Sequence, residues 1–271
     1  MILRIVAGII GLAVAVFVIL QSGILLKLAL LAVSLIGLRE FYAALKISKK
    51  PVCFAGYGAA VYMLLIDKLT ATGMIFIISL FTLAVVTLLV IKYREISVYD
   101  IAITFFGFFY VCFLLSNMYL VREHYLGIYA VWLILISAWG SDTGAYFTGM
   151  TLGSRKLAPK ISPKKTVEGA IGGVVCATLL GACFGFISQK YLFNLEAELV
   201  LLSVAVVFFG SVFSQLGDLA ASAVKRQVGI KDFGDVIPGH GGILDRFDSI
   251  LFTAPTVYCV LIVFDVLRGI Y

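Results

Sequence analysis

The sequence predicts an all-α polytopic integral membrane protein with about nine transmembrane helices and a cytoplasmic N-terminus. Three observations predict it. Of the 271 residues, 62% are hydrophobic and 13% charged, whereas a soluble domain is about half apolar and about a quarter charged. The mean hydropathy is +1.10, and a soluble fold of this length could not hide so much apolar surface. Apolar stretches near the spanning length of about 20 residues recur along the chain, with basic residues gathered in alternate connections. A soluble globular enzyme, a disordered chain and a disulfide scaffold are excluded.

The apolar stretches are 2–20, 23–45, 52–66, 73–92, 98–120, 125–149, 167–189, 198–224 and 248–270. The first, behind Arg4, has the look of a signal peptide. It lacks a small-residue cleavage site and eight more stretches follow, so a retained anchor is expected. The third is short and glycine-rich. With the N-terminus inside, the inner segments hold 15 basic residues and the outer ones four: Lys68, Arg122, Lys190 and Arg268. Lys27 and Arg39 fall inside the second stretch and are not counted. This bias is the positive-inside pattern. The net charge of +6 therefore reports orientation and contact with anionic lipid heads, not nucleic acid.

The expected organisation is an N-terminal transmembrane region, 1–120, followed by a catalytic transmembrane region, 121–271. The latter carries two long cytoplasmic loops, 150–166 and 225–247, and chemistry concentrates on such loops. The five cysteines form no C-x-x-C pair and most lie in apolar runs, so they read as buried small hydrophobes.

Acids inside apolar spans are costly and mark function. Asp218 lies in VFSQLGDLAAS. At 100° per residue, Ser211, Ser214, Gln215, Asp218, Ser222 and Lys225 share one narrow face, which is either a polar seam between helices or the wall of a wet site. Asp142 lies in AWGSDTGAYFTG, roughly 10 Å from its span's end, and is either part of the same centre or a partner for a loop lysine. Asp245 and Asp248, three apart, share a helix face at the start of the last span, where the helix dipole favours acids. Convergence of Asp218, Asp245 and Asp248 would need a cation, and an all-oxygen ligand set suits Mg²⁺.

Cations accompany these acids. Lys225 and Arg226 close the eighth span and Lys231 follows. Ser162, Lys164, Lys165 and Thr166 precede the seventh, where Ser or Thr can cap the helix and its amides can meet an anion. The alternative for that loop is contact with lipid heads alone. Gly239, Gly241 and Gly242 permit close approach to phosphate, and His240 is either a phosphate donor or a turn residue. Walker A, G-x-S-x-G, H-E-x-x-H and C-x-x-C motifs are absent, which disfavours P-loop, serine-hydrolase, zinc-protease and thiol chemistry. A carboxylate–metal centre beside many cations suits phosphoryl or nucleotidyl transfer. The rival classes are an ion-coupled transporter, whose site would lie near the midplane between repeats, and a CTP-dependent lipid or polyprenol kinase.

The run Ser222–Asp248, with Ser222, Lys225-Arg226, Lys231-Asp232, Pro238, His240-Gly241-Gly242 and Asp245-Arg246-x-Asp248, resembles the diagnostic motif of the phosphatidate cytidylyltransferases (CDP-diacylglycerol synthases). The runs 141–149 and 162–169 resemble family segments as well, with Val167 where an aromatic residue is common. The resemblance implies cytidylyl transfer from CTP to phosphatidic acid, giving CDP-diacylglycerol and pyrophosphate. It also implies Mg²⁺ with a second cation, K⁺, a homodimer, and a site on the cytoplasmic side of a bacterial inner membrane. On that basis Asp218, Asp245 and Asp248 hold the metal. Lys164, Lys165, Lys225, Arg226, Lys231 and Arg246 neutralise phosphates, and His240 with the Gly239–Gly242 amides takes pyrophosphate. Asp142 and Asp232 orient the cations or complete the metal shell.

Overall fold

The computed structural model describes residues 14–21, 23–66, 70–192, 198–236 and 241–270. Most of the first predicted span, together with Gly239 and His240, lies outside them. Among the described residues, five helices are long and apolar enough to cross a membrane: Thr72–Ile91, Val98–Glu123, Val167–Lys190, Glu198–Gln227 and Leu244–Leu267. The chain is an all-α membrane protein, with one small hairpin among the described residues. It divides into two compact units, Met1–Tyr119 with Gln227–Arg246, and Leu120–Arg226 with Phe247–Tyr271.

The first unit contains α1 (Gly23–Ala44), α2 (Val52–Leu65), α3 (Ala71–Ile91) and α4 (Val98–Gly107) in chain order. Local chemistry sets their starts. Thr70 accepts from the Gly73 amide at the head of α3, and Ser97 and Asp100 form a reciprocal capping box on α4, each satisfying amides that a helix start leaves unpaired. The core gathers around Phe41 and Tyr42 of α1, both fully buried. Tyr42 donates to the Thr104 carbonyl at 3.2 Å, and a Cβ at Gly107 would lie 2.6 Å from its ring. A π-helical segment, Phe108–Phe113, then leads into α5 (Leu114–Glu123).

In the second unit, α6 (Gly127–Leu135) passes through another π-helical segment, Ile136–Gly140, into α7 (Ser141–Thr151). A π turn inserts an extra residue and so re-aims the next turns of helix, here those that begin Ser141-Asp142. Next comes an antiparallel hairpin of β1 (Lys156–Ala158) and β2 (Ser162–Thr166), where the sequence suggests only a loop. Its base is clamped by Glu168, which accepts from Ser154 N at 3.0 Å, Ser154 Oγ at 2.8 Å and Arg155 N at 3.1 Å. Thr166 caps α8 (Val167–Ile187) by accepting from Gly169 N, as its sequence position predicts.

Every fourth residue of α8 is small and buried: Gly169, Gly173, Ala177, Gly181 and Gly185. That ladder lets backbones approach as in membrane helix pairs. A Cβ at Gly173 would come within 2.6 Å of the Ser141 carbonyl, and one at Gly181 within 2.6 Å of Val207. So α8 seats α7 along one part of the ladder and α9 (Glu198–Gln227) along another. The last helix, α10 (Leu244–Leu267), starts earlier than its apolar stretch suggests, so that Asp245 lies in its first turn.

The cysteines depart from their expected burial. Cys53 and Cys112 are buried, but Cys183 and Cys259 are exposed and Cys176 is intermediate. In a lipid solvent the outer faces are as apolar as the core, so an apolar run does not distinguish inside from outside.

Candidate functional site

In the second unit three acids from three helices lie within electrostatic reach of one another: Asp142 of α7, Asp218 of α9 and Asp248 of α10. Lys165 of β2 forms an ion pair with Asp218 and its charge also reaches Asp142. Lys225, buried near the end of α9, acts on Asp248. Ser222 donates to Asp218 at 3.4 Å. Ser249 lies beside these acids, and its amide donates to Asp248 at 2.7 Å. Like charges this close oppose one another, and the two lysines offset only part of the repulsion.

The polar face of α9 forms a seam at Gln215. Gln215 donates to Ser141 Oγ and to the Ala170 carbonyl, each at 2.9 Å, which fastens α9 to α7 and α8. One turn on, Asp218, Ser222 and Lys225 face the acids. The helical positions thus divide the stripe, with inter-helix bonds at Gln215 and charged side chains at Asp218 and Lys225.

The hairpin separates two neighbouring lysines. Successive strand residues point to opposite faces. Lys165 is half-buried against Asp218, while Lys164 is exposed. Arg226 is exposed and its Nε donates to the Ile161 carbonyl at 3.4 Å, so the end of α9 also touches the hairpin.

In the first unit Asp245 has its own company. Its Oδ2 accepts from Phe233 N at 2.8 Å and Gly242 N at 3.1 Å, so Gly242 gives its amide to a carboxylate of the protein. Lys231, Asp232 and Arg246 are exposed around this loop, and Gly241 takes a left-handed φ of 83°, a conformation that suits glycine. Among the described residues, no three His, Cys, Asp or Glu side chains are already disposed as ligands around a common point.

Two contributors stand outside the residues singled out from the sequence. Ser249 gives its amide to Asp248 and carries no signal beyond its neighbourhood. Glu40 carries the same signal as Asp218, an acid inside an apolar run. It is 5% exposed and accepts from Ile243 N at 3.0 Å and Leu244 N at 2.8 Å.

Comparison with known proteins identifies the family. The model of the "Cytidylyltransferase family" matches residues 2–264. A phosphatidate cytidylyltransferase of Staphylococcus saprophyticus is 34% identical over 263 residues, covering 96% of this chain and 98% of that one. That of Staphylococcus aureus strain COL is 34% identical over 266 residues, with the same coverage. The Bacillus subtilis phosphatidate cytidylyltransferase is 47% identical over 139 residues, which is 51% of this chain and 49% of the relative. The match runs through both units, and the chain belongs to the cytidylyltransferase family.

Proposed function

We infer that the chain transfers a cytidylyl group from CTP to phosphatidic acid, giving CDP-diacylglycerol and pyrophosphate for phospholipid biosynthesis. One observation carries this reading. Asp142, Asp218 and Asp248 converge with Lys165 and Lys225 in a chain that aligns over 96% of its length with phosphatidate cytidylyltransferases.

A phosphate oxygen of phosphatidate attacks the α-phosphorus of CTP in line. The bond from that phosphorus to the oxygen bridging the β-phosphate breaks, and pyrophosphate leaves with the electron pair. Phosphatidate is already anionic, so no general base is required. The work left to the protein is positioning and neutralisation. Lys164, Lys165, Lys225, Arg226, Lys231 and Arg246 supply positive charge to the phosphates, and His240 with Gly241 supports the departing pyrophosphate.

The donor chemistry of Asp218 and Asp248 fits Mg²⁺, which is commonly bound through one or two carboxylates with water and substrate phosphates filling its shell. When bound, the ion offsets charge on the transferring group. Asp142 supports that pair or the nearby cations. The sequence expectation adds Asp245 to the set, but the two amides that Asp245 accepts favour a role in holding the loop. K⁺ as a second cation belongs to the same proposal, and replacing K⁺ by Na⁺ in the assay tests it.

The finer architecture is proposed as nine spans with the N-terminus and both basic connections facing the cytoplasm, in a bacterial inner membrane, as a homodimer. The imbalance of 15 to four basic residues supports the orientation, and reporter fusions at each connection test it. The activity is tested with purified protein, CTP labelled at the α-phosphate, and phosphatidic acid, with and without Mg²⁺. Labelled lipid and free pyrophosphate, both dependent on Mg²⁺, are expected. Label passing to lipid only from the γ-phosphate, with release of CDP, would identify a lipid kinase. No lipid-borne label from either position would overturn the enzymatic reading.

A further inference from the structure

We propose that Glu40 is a positioning residue for the nucleotide end of the reaction, a reading that rests on the function inferred above. Glu40 sits in α1, about 200 residues before the loop it serves. Its carboxylate is nearly sealed from solvent, and a buried carboxylate without donors is strongly unfavourable. Its donors are the backbone amides of Ile243 and Leu244, two of the groups that the start of α10 leaves unpaired. Charge-assisted bonds of this kind are the strong ones, and the helix dipole adds to them.

The loop is built around that carboxylate. A Cβ at Gly234 would lie 2.5 Å from Glu40 Oε1, and a Cβ at Gly242 would collide with Oε2. The space at these two glycines is therefore filled by a side chain of the protein. The neighbouring Phe41 ring meets Phe233 with centroids 6.3 Å apart, and Asp245 holds the amides of Phe233 and Gly242. Glu40, Phe41 and Asp245 thus hold one loop at separate places. That loop presents Lys231 and Arg246, whose proposed partners are the phosphates of CTP, with Asp232 exposed beside them. Glu40 touches neither substrate; it sets the backbone from which those groups reach out.

The test compares full-length wild type with Glu40→Gln, Glu40→Asp, Gly242→Ala and the double variant Glu40→Asp/Gly242→Ala. Initial rates are measured against CTP and against phosphatidate, alongside Tm and hydrogen exchange at residues 233–244. Glu40→Gln is expected to lower kcat/KM for CTP at least ~10-fold, leave KM for phosphatidate within ~2-fold, and speed exchange at Ile243 and Leu244. Gly242→Ala is expected to do the same, and the shorter acid of Glu40→Asp to restore at least ~3-fold of its loss. If Glu40→Gln does not fold, Gly242→Ala and its double variant decide the matter. Unchanged CTP kinetics in Glu40→Gln, no rescue in the double variant, or a parallel loss for both substrates that tracks Tm would each overturn the proposal. Absence of cytidylyl transfer in wild type would instead overturn the functional reading, and the exchange at residues 243 and 244 would still decide whether Glu40 holds the loop.

Discussion

Lys165 and Asp218 form an ion pair that ties the β-hairpin to α9. Both side chains are about a quarter exposed, so the pair is neither a solvated surface bridge nor a sealed one. The ammonium rests on an acid that is proposed above to hold Mg²⁺, and its neighbour Lys164 lies on the other face of the strand. Lys165→Ala is therefore expected to raise the CTP requirement well beyond Lys164→Ala: at least ~10-fold in KM against ~3-fold, since a partly desolvated charge counts for more than an exposed one. Initial-rate kinetics against CTP check this, and equal effects would remove the special role of Lys165.

The acids of the second unit should separate from Asp245 in a metal titration. Asp218→Asn and Asp248→Asn each remove a charged oxygen from the cluster and are expected to lower turnover at least ~100-fold, with a higher Mg²⁺ concentration at half activation. Asp245→Asn retains one acceptor for the amides of Phe233 and Gly242. It should lose thermal stability while the Mg²⁺ midpoint stays where it was. A shifted midpoint in Asp245→Asn would restore Asp245 to the metal set.

The course of the helices was legible in the sequence because lipid as solvent asks for long apolar runs and little else. From 23 onward each predicted stretch lies on a helix or on helical segments joined by a π turn. The hairpin was not legible. SRKLAPKISPKKT lacks the alternation of a half-buried strand, and the clamp that fixes it is Glu168, beyond the second strand. The π turns depend on packing and leave no pattern in the residues. The site was half legible. Asp218 and Lys225 declared themselves by being polar in an apolar helix. Asp245 and Asp248, three apart, look like partners in sequence, yet the first turn of α10 commits Asp245 to loop amides. Asp142 joins Asp218 because the glycine ladder of α8 seats both α7 and α9. Glu40 was as visible as Asp218, an acid within the second stretch, but its partners, the amides of Ile243 and Leu244, lie about 200 residues further along the chain.

Gln215 and Gly173 hold α7, α8 and α9 in register, and their variants should damage the fold before the chemistry. Gln215→Leu loses bonds to Ser141 and Ala170 and leaves an acceptor buried, at about 1–3 kcal/mol. A lower Tm with KM for CTP within ~2-fold is expected. Gly173→Val places side-chain atoms against the Ser141 carbonyl and Ala145, and a sharp fall in the monodisperse fraction on size-exclusion chromatography is expected. Wild-type yield and Tm for Gly173→Val would mean that α7 and α8 are not closely packed.

Asp265 should behave in the opposite way to Asp248, although one helix carries both. The two are seventeen residues apart, about 25 Å along α10 at the helical rise. Asp265 is 1% exposed; it accepts from His124 Nε2 at 2.7 Å and from Tyr125 Oη at 3.0 Å. His124 Nδ1 in turn accepts from Leu126 N at 3.2 Å, so both ring nitrogens are hydrogen-bonded. The cluster fastens the turn between α5 and α6 to the end of α10 and is far from the acids of the site. Asp265→Asn weakens both bonds and should cost about 1–3 kcal/mol, read as a lower Tm in detergent. Its kcat/KM for CTP and for phosphatidate should stay within ~2-fold of wild type per folded molecule. A selective loss for either substrate would show that this end of α10 communicates with the chemistry, and Asp265 would have to be counted among the residues that position it.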